Sequence, residues 1–519
     1  MRPRSLRSLL PALAALFVVS ALVGCGGGDS GSDPAAVAPA GAPVFIGVDL
    51  RLGAQAREDI DALGAAIAGV DDVGGRIVAE LEAAARGSGQ RFDYARDMEP
   101  WLGERAGLAL LDFDGEDFHG YVGAVQTEDE EAAEEFLDKF FADPGERPRR
   151  TSHEGVEYLV DSDGDAAGVV DGLVVVAAED DFKRAVEAAS GDALADADAY
   201  EDAVEAAPQG SLADAFIDIG ALLRSSGDRI DAETEAFLDS SGIEPREATA
   251  LASLVPGSGL IEVVLSTDVT ESAPTDGDAS RLLGSLPGDS FAAIASDGFG
   301  KRLRAAIDKL DKRGIPDTIP PGELKSGLKQ AGIDLDSVSS KAGDLAVFAT
   351  GRDRRTLGGG VVVETGDGQA VKNMVSNIGL LLRSGGAAGV REIDTGFSGF
   401  VIRGAGIDGG PLVVGANEKR VAVATGVKVA AAALAGGDGP GTLAAQPGFK
   451  RAVAALGDTP ITGWADGPAA LRLASNLIPA GDAGFRRARP FLRKVSFLAL
   501  GGGESEDRST AKLIVGVRE

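Results

Sequence analysis

Beyond residue 43 the chain is written as short apolar stretches separated by polar, turn-forming ones. Residues 44–50, 107–113 and 121–126 are rich in Val, Ile, Leu and Phe and read as strands. The turn Asp114-Gly115-Glu116-Asp117 separates the last two. Thr127 with Glu130 predicts a capping box. Ala133, Phe136, Leu137 and Phe140 follow at helical spacing, so an amphipathic helix with an acidic outer face is expected. Residues 156–160 and 167–170 flank Asp-Ser-Asp-Gly-Asp as a hairpin, and 173–178 add a strand. Two helices follow, then an extended segment at 213–219. Residues 251–255 and 260–266, joined by Pro256-Gly257-Ser258-Gly259, predict a closing hairpin, as do 495–500 with 511–517.

The same blocks recur in the same order. Thr127, Phe136, Leu137 and Phe140 match Thr365, Met374, Val375 and Ile378 at an offset of 238. Leu194, Tyr200, Ala203 and Val204 match Leu443, Phe449, Ala452 and Val453 at an offset of 249, and Asp218 then falls on Asp466. The pattern predicts an α+β protein of two homologous halves, each a largely antiparallel sheet with helices packed on it. The expected boundaries are 44–275 and 276–519, with a linker near 270–280 where Pro and Gly interrupt polar residues.

The first residues carry an address. Arg2, Arg4 and Arg7 precede an apolar stretch over 9–23, short of the ~20 residues a membrane-spanning helix needs. Residues 1–24 therefore read as a signal peptide. Leu22-Val23-Gly24-Cys25 resembles the lipobox of bacterial lipoproteins. That resemblance implies cleavage between Gly24 and Cys25, lipid attachment at Cys25, and a protein anchored on the outer side of the cell membrane. Two acyl chains hold a protein where one is marginal, at about 0.8 kcal/mol per buried methylene. Residues 25–43, small apart from Pro and two acids, read as a flexible tether.

The Pro100-Trp101-Leu102-Gly103-Glu104 stretch before a strand, and the Leu-Ala segments leading to Tyr200 and Phe449, resemble the bacterial family called domain of unknown function 3352. The resemblance extends over most of 44–519 and implies a secreted or membrane-anchored protein. No functional residue is carried over from it.

Charge divides the chain. Residues 44–280 hold 55 acidic and 16 basic side chains, a formal −39, whereas 281–519 hold 24 and 31, a formal +7. The halves are expected either to attract one another or to set an orientation at an anionic membrane. The overall −31 argues against nucleic acid as a partner.

Little chemistry is offered. The single cysteine excludes internal disulfides, and two histidines, His119 and His153, leave little room for imidazole-based catalysis or a multi-histidine metal site. Asp161, Asp163 and Asp165, like Asp112, Asp114, Glu116 and Asp117, lack the glycine and glutamate spacing of a calcium loop and read as solvated turns. Ser326 and Lys329 match S-x-x-K without its companion motifs. No cofactor and no metal are expected. Trp101 and Trp464 are expected partly in the core and are the candidate aromatic residues of a binding surface. The function expected is a non-enzymatic binding or scaffolding lipoprotein of the cell envelope, with an unidentified envelope protein or ligand as partner. The alternatives are a carrier or chaperone for a hydrophobic ligand such as a lipid and, third, an envelope hydrolase.

Overall fold

Alternating apolar side chains put ten strands into the first part of the chain in the computed structural model. It describes residues 32–87, 89–115, 117–141, 147–226, 248–268, 279–313, 320–330, 339–386, 389–394, 396–406, 410–437, 439–479, 481–504 and 508–518. The signal peptide, Gly24, Cys25 and most of the expected linker lie outside the described residues. Two units separate by their contacts: Met1–Glu271 with Glu504–Thr510 and Glu519, and Ser272–Gly503 with Ala511–Arg518.

The first unit holds β1 (Val44–Asp49), β2 (Leu102–Leu110), β3 (Tyr121–Thr127), β4 (Arg149–His153), β5 (Val156–Val160), β6 (Asp165–Val170), β7 (Leu173–Ala178), β8 (Ala213–Asp218), β9 (Thr249–Gly257) and β10 (Leu260–Asp268). They pair in the order β4-β5-β6-β7-β3-β2-β1-β8-β9-β10, every neighbour antiparallel. Both sheet faces are covered. Helices Glu179–Ala189 and Asp198–Glu205 close one, over Phe45, Val122, Val175 and Phe216. Helices Val73–Gly87 and Glu130–Phe140 close the other, where Leu81 and Leu137 meet Val48, Val125 and Trp101.

Two expectations are corrected here. The tether was expected to run to residue 43, but the chain is folded from Ser32 onward. Pro34–Val37 form a 3₁₀ turn capped by Asp33, and Ala35 and Val37 are fully buried. The Leu194 amide donates to the Ala38 carbonyl at 2.7 Å, and Arg105 pairs with Asp33 at 3.0 Å. Gly107 makes room for this docking, because a Cβ there would lie 2.6 Å from both Pro34 and Phe45. The helix cap also differs: Asp129, not Thr127, accepts from the Ala132 amide at 3.1 Å. The Thr127 hydroxyl is held instead by the Trp101 carbonyl at 2.9 Å.

The second unit holds β11 (Ser290–Ser296), β12 (Ala342–Thr350), β13 (Gly358–Thr365), β14 (Val390–Asp394), β15 (Ser398–Ile402), β16 (Leu412–Ala416), β17 (Arg420–Thr425), β18 (Ile461–Asp466), β19 (Val495–Glu504) and β20 (Arg508–Val517). Their order, β14-β15-β16-β17-β13-β12-β11-β18-β19-β20, repeats that of the first unit. Asp218 and Asp466, at the ends of β8 and β18, cap the next helix in the same way, accepting from Ala221 at 2.7 Å and Ala469 at 2.6 Å. Helices joined to antiparallel sheets make the chain an α+β protein.

Candidate binding surface

One face of the second unit's sheet is only partly closed. Ala293, Ala346, Phe348 and Ala499 point into the core, while Ile294, Val347, Leu498 and Leu500 point the other way. Helix Gly368–Ser384 covers part of that second face, packing Val371 and Val375 on Phe400 and Ala416. Beyond it, cross-strand pairing aligns one apolar row: Val423 opposite Val361, Val361 opposite Val347, Val347 opposite Ile294, Ile294 opposite Gly463, and Gly463 opposite Leu500. Ile294 is 52% exposed, Val347 41% and Leu500 40%, each on a strand paired on both sides. Beside this row runs a floor of small residues, Ala349, Ala292 and Ala465, ending at Leu498. Ile294, Val347 and Leu500 of the row, this floor, Leu498 and Trp464 line a shallow groove of ≈ 350 Å³ with no charged residue in its wall.

Antiparallel sheets that face water on one side normally alternate apolar and polar residues. β11, β12 and β19 carry apolar residues on both faces, as strands covered on both sides do. The corresponding face of the first unit is covered. Of fifteen exposed large hydrophobic side chains among the described residues, fourteen belong to the second unit and only Leu265 to the first. Contiguous exposed apolar surface of this kind marks interaction sites.

Of the two aromatic residues singled out from the sequence, Trp101 lies outside this groove, whereas Trp464 is among the residues that line it, its ring turned into the core. Trp101 is 2% exposed, donates to the Asp97 carbonyl at 2.9 Å and packs on Phe136. Trp464 is 5% exposed and meets Phe449 edge-on at 5.9 Å. Each is a core anchor of its own unit. The groove residues Ile294, Val347, Leu498 and Leu500 were missed. The signal that could have found them is the apolar occupancy of both strand faces.

The polar candidates are engaged in local structure. His119 meets Asp114 at 2.7 Å on the surface, and His153 meets Glu187 at 3.0 Å. The bond to Asp114 raises the His119 pKa. The Ser326 hydroxyl donates to the Glu323 carbonyl at 3.0 Å, and Lys329 is exposed. Among the described residues no group of three or more His, Cys, Asp or Glu is placed to hold a metal ion. A second hollow of ≈ 520 Å³, near Lys301, Arg304, Asp308 and Asp344, mixes both signs of charge.

In the acidic hairpin turn, Asp161 accepts from the amides of Asp163 (2.9 Å) and Asp165 (3.0 Å). Burial, and then the charges of Asp161 and Asp163, push the Asp165 carboxyl from 3.8 up to about 6. The unfolded chain ionises first, so this group's contribution to stability falls as pH rises between those two values. Asp165→Asn is expected to stabilise the protein at pH 7 by about 1 kcal/mol, a figure reduced because solvent reaches the site. Melting curves should show that gain vanishing below about pH 4, where the carboxyl is protonated in both states.

The profile of a family described as "Protein of unknown function (DUF3352)" matches residues 85–401. The chain belongs to the DUF3352 family. The match starts in helix Val73–Gly87 and ends in β15, a narrower span than the 44–519 expected from the motifs. It takes in Ile294 and Val347 of the groove, and leaves Leu498 and Leu500 outside. No curated protein matches this DUF3352 chain. A solved structure titled "Structure of crystal form I of TP0453" is similar over 47% of this chain and 82% of that one, at 8% identity and a TM-score of 0.25.

Proposed function

We propose that this DUF3352 protein is a lipid-anchored, extracytoplasmic binding protein that performs no covalent chemistry, and that its second unit is the binding half. The observation carrying this reading is the open apolar row from Val423 to Leu500. Its partner is a protein surface rather than an enclosed lipid. Ligand sites bury about 70–90% of a small ligand, and a shallow groove on a sheet face does not enclose one. A flat apolar patch suits a partner that brings its own apolar face. The identical strand orders of the two units support an origin by duplication, after which the second copy kept one face open.

Ile294→Asp combined with Leu500→Asp is expected to abolish partner retention when the protein is isolated from solubilised envelopes. Because both side chains already face solvent, global stability should change by less than about 1 kcal/mol. Partner retention by the folded double variant would refute this reading of the groove.

The anchor at Cys25 is the other half of the proposal. It rests on the lipobox-like Leu22-Val23-Gly24-Cys25 and on Cys25 being the only cysteine. Asp33, which caps the 3₁₀ turn docked on the first unit, is only eight residues from Cys25, so chain length alone keeps that unit within about 30 Å of the lipidated residue. Cys25→Ser should move the protein from the membrane to the soluble fraction. A thiol at position 25 found unmodified by mass spectrometry would contradict the anchor. Among the described residues no helix is long and apolar enough to cross a membrane.

A further inference from the structure

We infer that the helix Ala483–Leu492, with Arg493 and Lys494 at its end, is a contact for an anionic phospholipid surface. An amphipathic helix ordinarily buries its apolar stripe against its own domain. This one buries no residue at all. Phe491 is 56% and Leu492 40% exposed.

The sequence separates two faces around the helix. At 100° per residue, Phe485, Ala488, Phe491 and Leu492 gather on one arc, and Arg486, Arg487, Arg489, Arg493 and Lys494 on the other. The one acid nearby, Asp482, is occupied as the N-cap, accepting from the Phe485 amide at 2.7 Å. None of the five cations forms an ion pair with a described residue; Arg487 donates only to the Ala483 carbonyl of its own helix. A basic face beside an exposed aromatic and aliphatic face is what an interfacial helix needs. Its apolar side enters the headgroup boundary while its cations meet lipid phosphates.

The chain's overall −31 does not oppose this. Charges farther than a Debye length, about 8 Å at physiological salt, are screened, so the local patch decides. Each cation near an anionic leaflet raises the binding constant about fivefold. The inference stands apart from the Cys25 anchor and from the groove, because neither contributes to its test.

That test uses the mature chain, residues 25–519, carrying Cys25→Ser so that no acyl group takes part. Sedimentation with vesicles of phosphatidylcholine containing about 30 mol% phosphatidylglycerol should give at least about tenfold tighter binding than phosphatidylcholine alone, lost in about 0.5 M salt. Arg486→Gln, Arg489→Gln and Arg493→Gln together should weaken binding at least about tenfold while leaving the melting curve unchanged. In the same cysteine-free background, Phe491→Cys labelled with an environment-sensitive dye should shift its emission to the blue on anionic vesicles only. Equal binding to both vesicle types, undiminished binding by the triple variant, or a dye that reports no insertion would each overturn the inference.

Discussion

Val37→Asp destabilises the first unit by at least about 3 kcal/mol, although position 37 sits in a stretch of Ala, Pro and Gly with no obvious core pattern. Val37 is fully buried, in the cluster that includes Phe45, Ala109, Val122 and Phe182. A carboxylate there would sit in that apolar cluster, so the docked segment must leave the sheet or carry a buried charge. Once it leaves, Ala35 and Val37 are uncovered, the Leu194 amide loses the Ala38 carbonyl, and Arg105 loses Asp33. Val37→Ala removes only the side-chain burial and should cost about 1.5–3 kcal/mol. The two tryptophans fall one in each unit, so a Trp464→Phe background lets Trp101 report the first unit alone in urea unfolding. Unchanged unfolding of Val37→Asp would mean that the segment before β1 is not part of the core.

Arg420→Ala has an effect of similar size in the second unit. Arg420 is 6% exposed, and its guanidinium bonds the Ser285 hydroxyl at 2.7 Å, Glu364 at 3.2 Å and the Ala433 carbonyl at 3.3 Å. Glu364 keeps one further partner, Arg281 at 2.9 Å, whose side chain is mostly in solvent. Removing the buried arginine therefore leaves a half-compensated carboxylate and takes a donor from the Ala433 carbonyl and from the Ser285 hydroxyl, which keeps only its own bond to the Leu282 carbonyl at 2.7 Å. Breaking one partner of a buried pair costs about 3–5 kcal/mol. Trp464 fluorescence in a Trp101→Phe background should show the second unit's midpoint falling. Glu364→Gln, which keeps an acceptor for the guanidinium, should cost less.

Much of the sheet architecture was readable in advance, for a physical reason. β1, β3, β5, β7 and the hairpin of β9 and β10 hold apolar side chains at strand spacing between Gly, Pro and Asp turns. The matched pairs Thr127 with Thr365 and Asp218 with Asp466 are the last residues of β3 and β13 and of β8 and β18. What escaped depends on tertiary packing. The sequence Arg-Arg-Thr-Ser-His of β4 has no apolar residue because an edge strand is protected by charge. The segment around Val37 looks like a linker because its small residues reach the core only where Gly107 leaves space. Helices Ala54–Ala68 and Val73–Gly87 were not assigned, their burial being confined to a few positions such as Leu63 and Leu81.

The candidate site was legible only in part: Trp464 lines the groove, but the exposed residues that open it to solvent were not singled out. Scarcity drew attention to the two tryptophans, yet large aromatic rings are most often spent on cores, and these two are. The apolar row across β17, β13, β12, β11 and β19 is spread over residues 294–500 and comes together only through the strand order. Apolar occupancy of both faces marks these strands in the sequence, but it does not say whether the second face is covered by the chain itself. The coverage is set by which helices fold back, and helix Gly368–Ser384 reaches only the part of the sheet around Phe400.

The most direct measurement is photo-crosslinking in intact cells, with a photoreactive amino acid at position 294 and, as control, at the exposed Leu265 of the first unit. A single dominant protein adduct from 294, weak or absent from 265 and lost on adding Leu500→Asp, is the predicted result. No adduct at 294, or one that survives Leu500→Asp unchanged, would contradict a protein partner seated on the open sheet face.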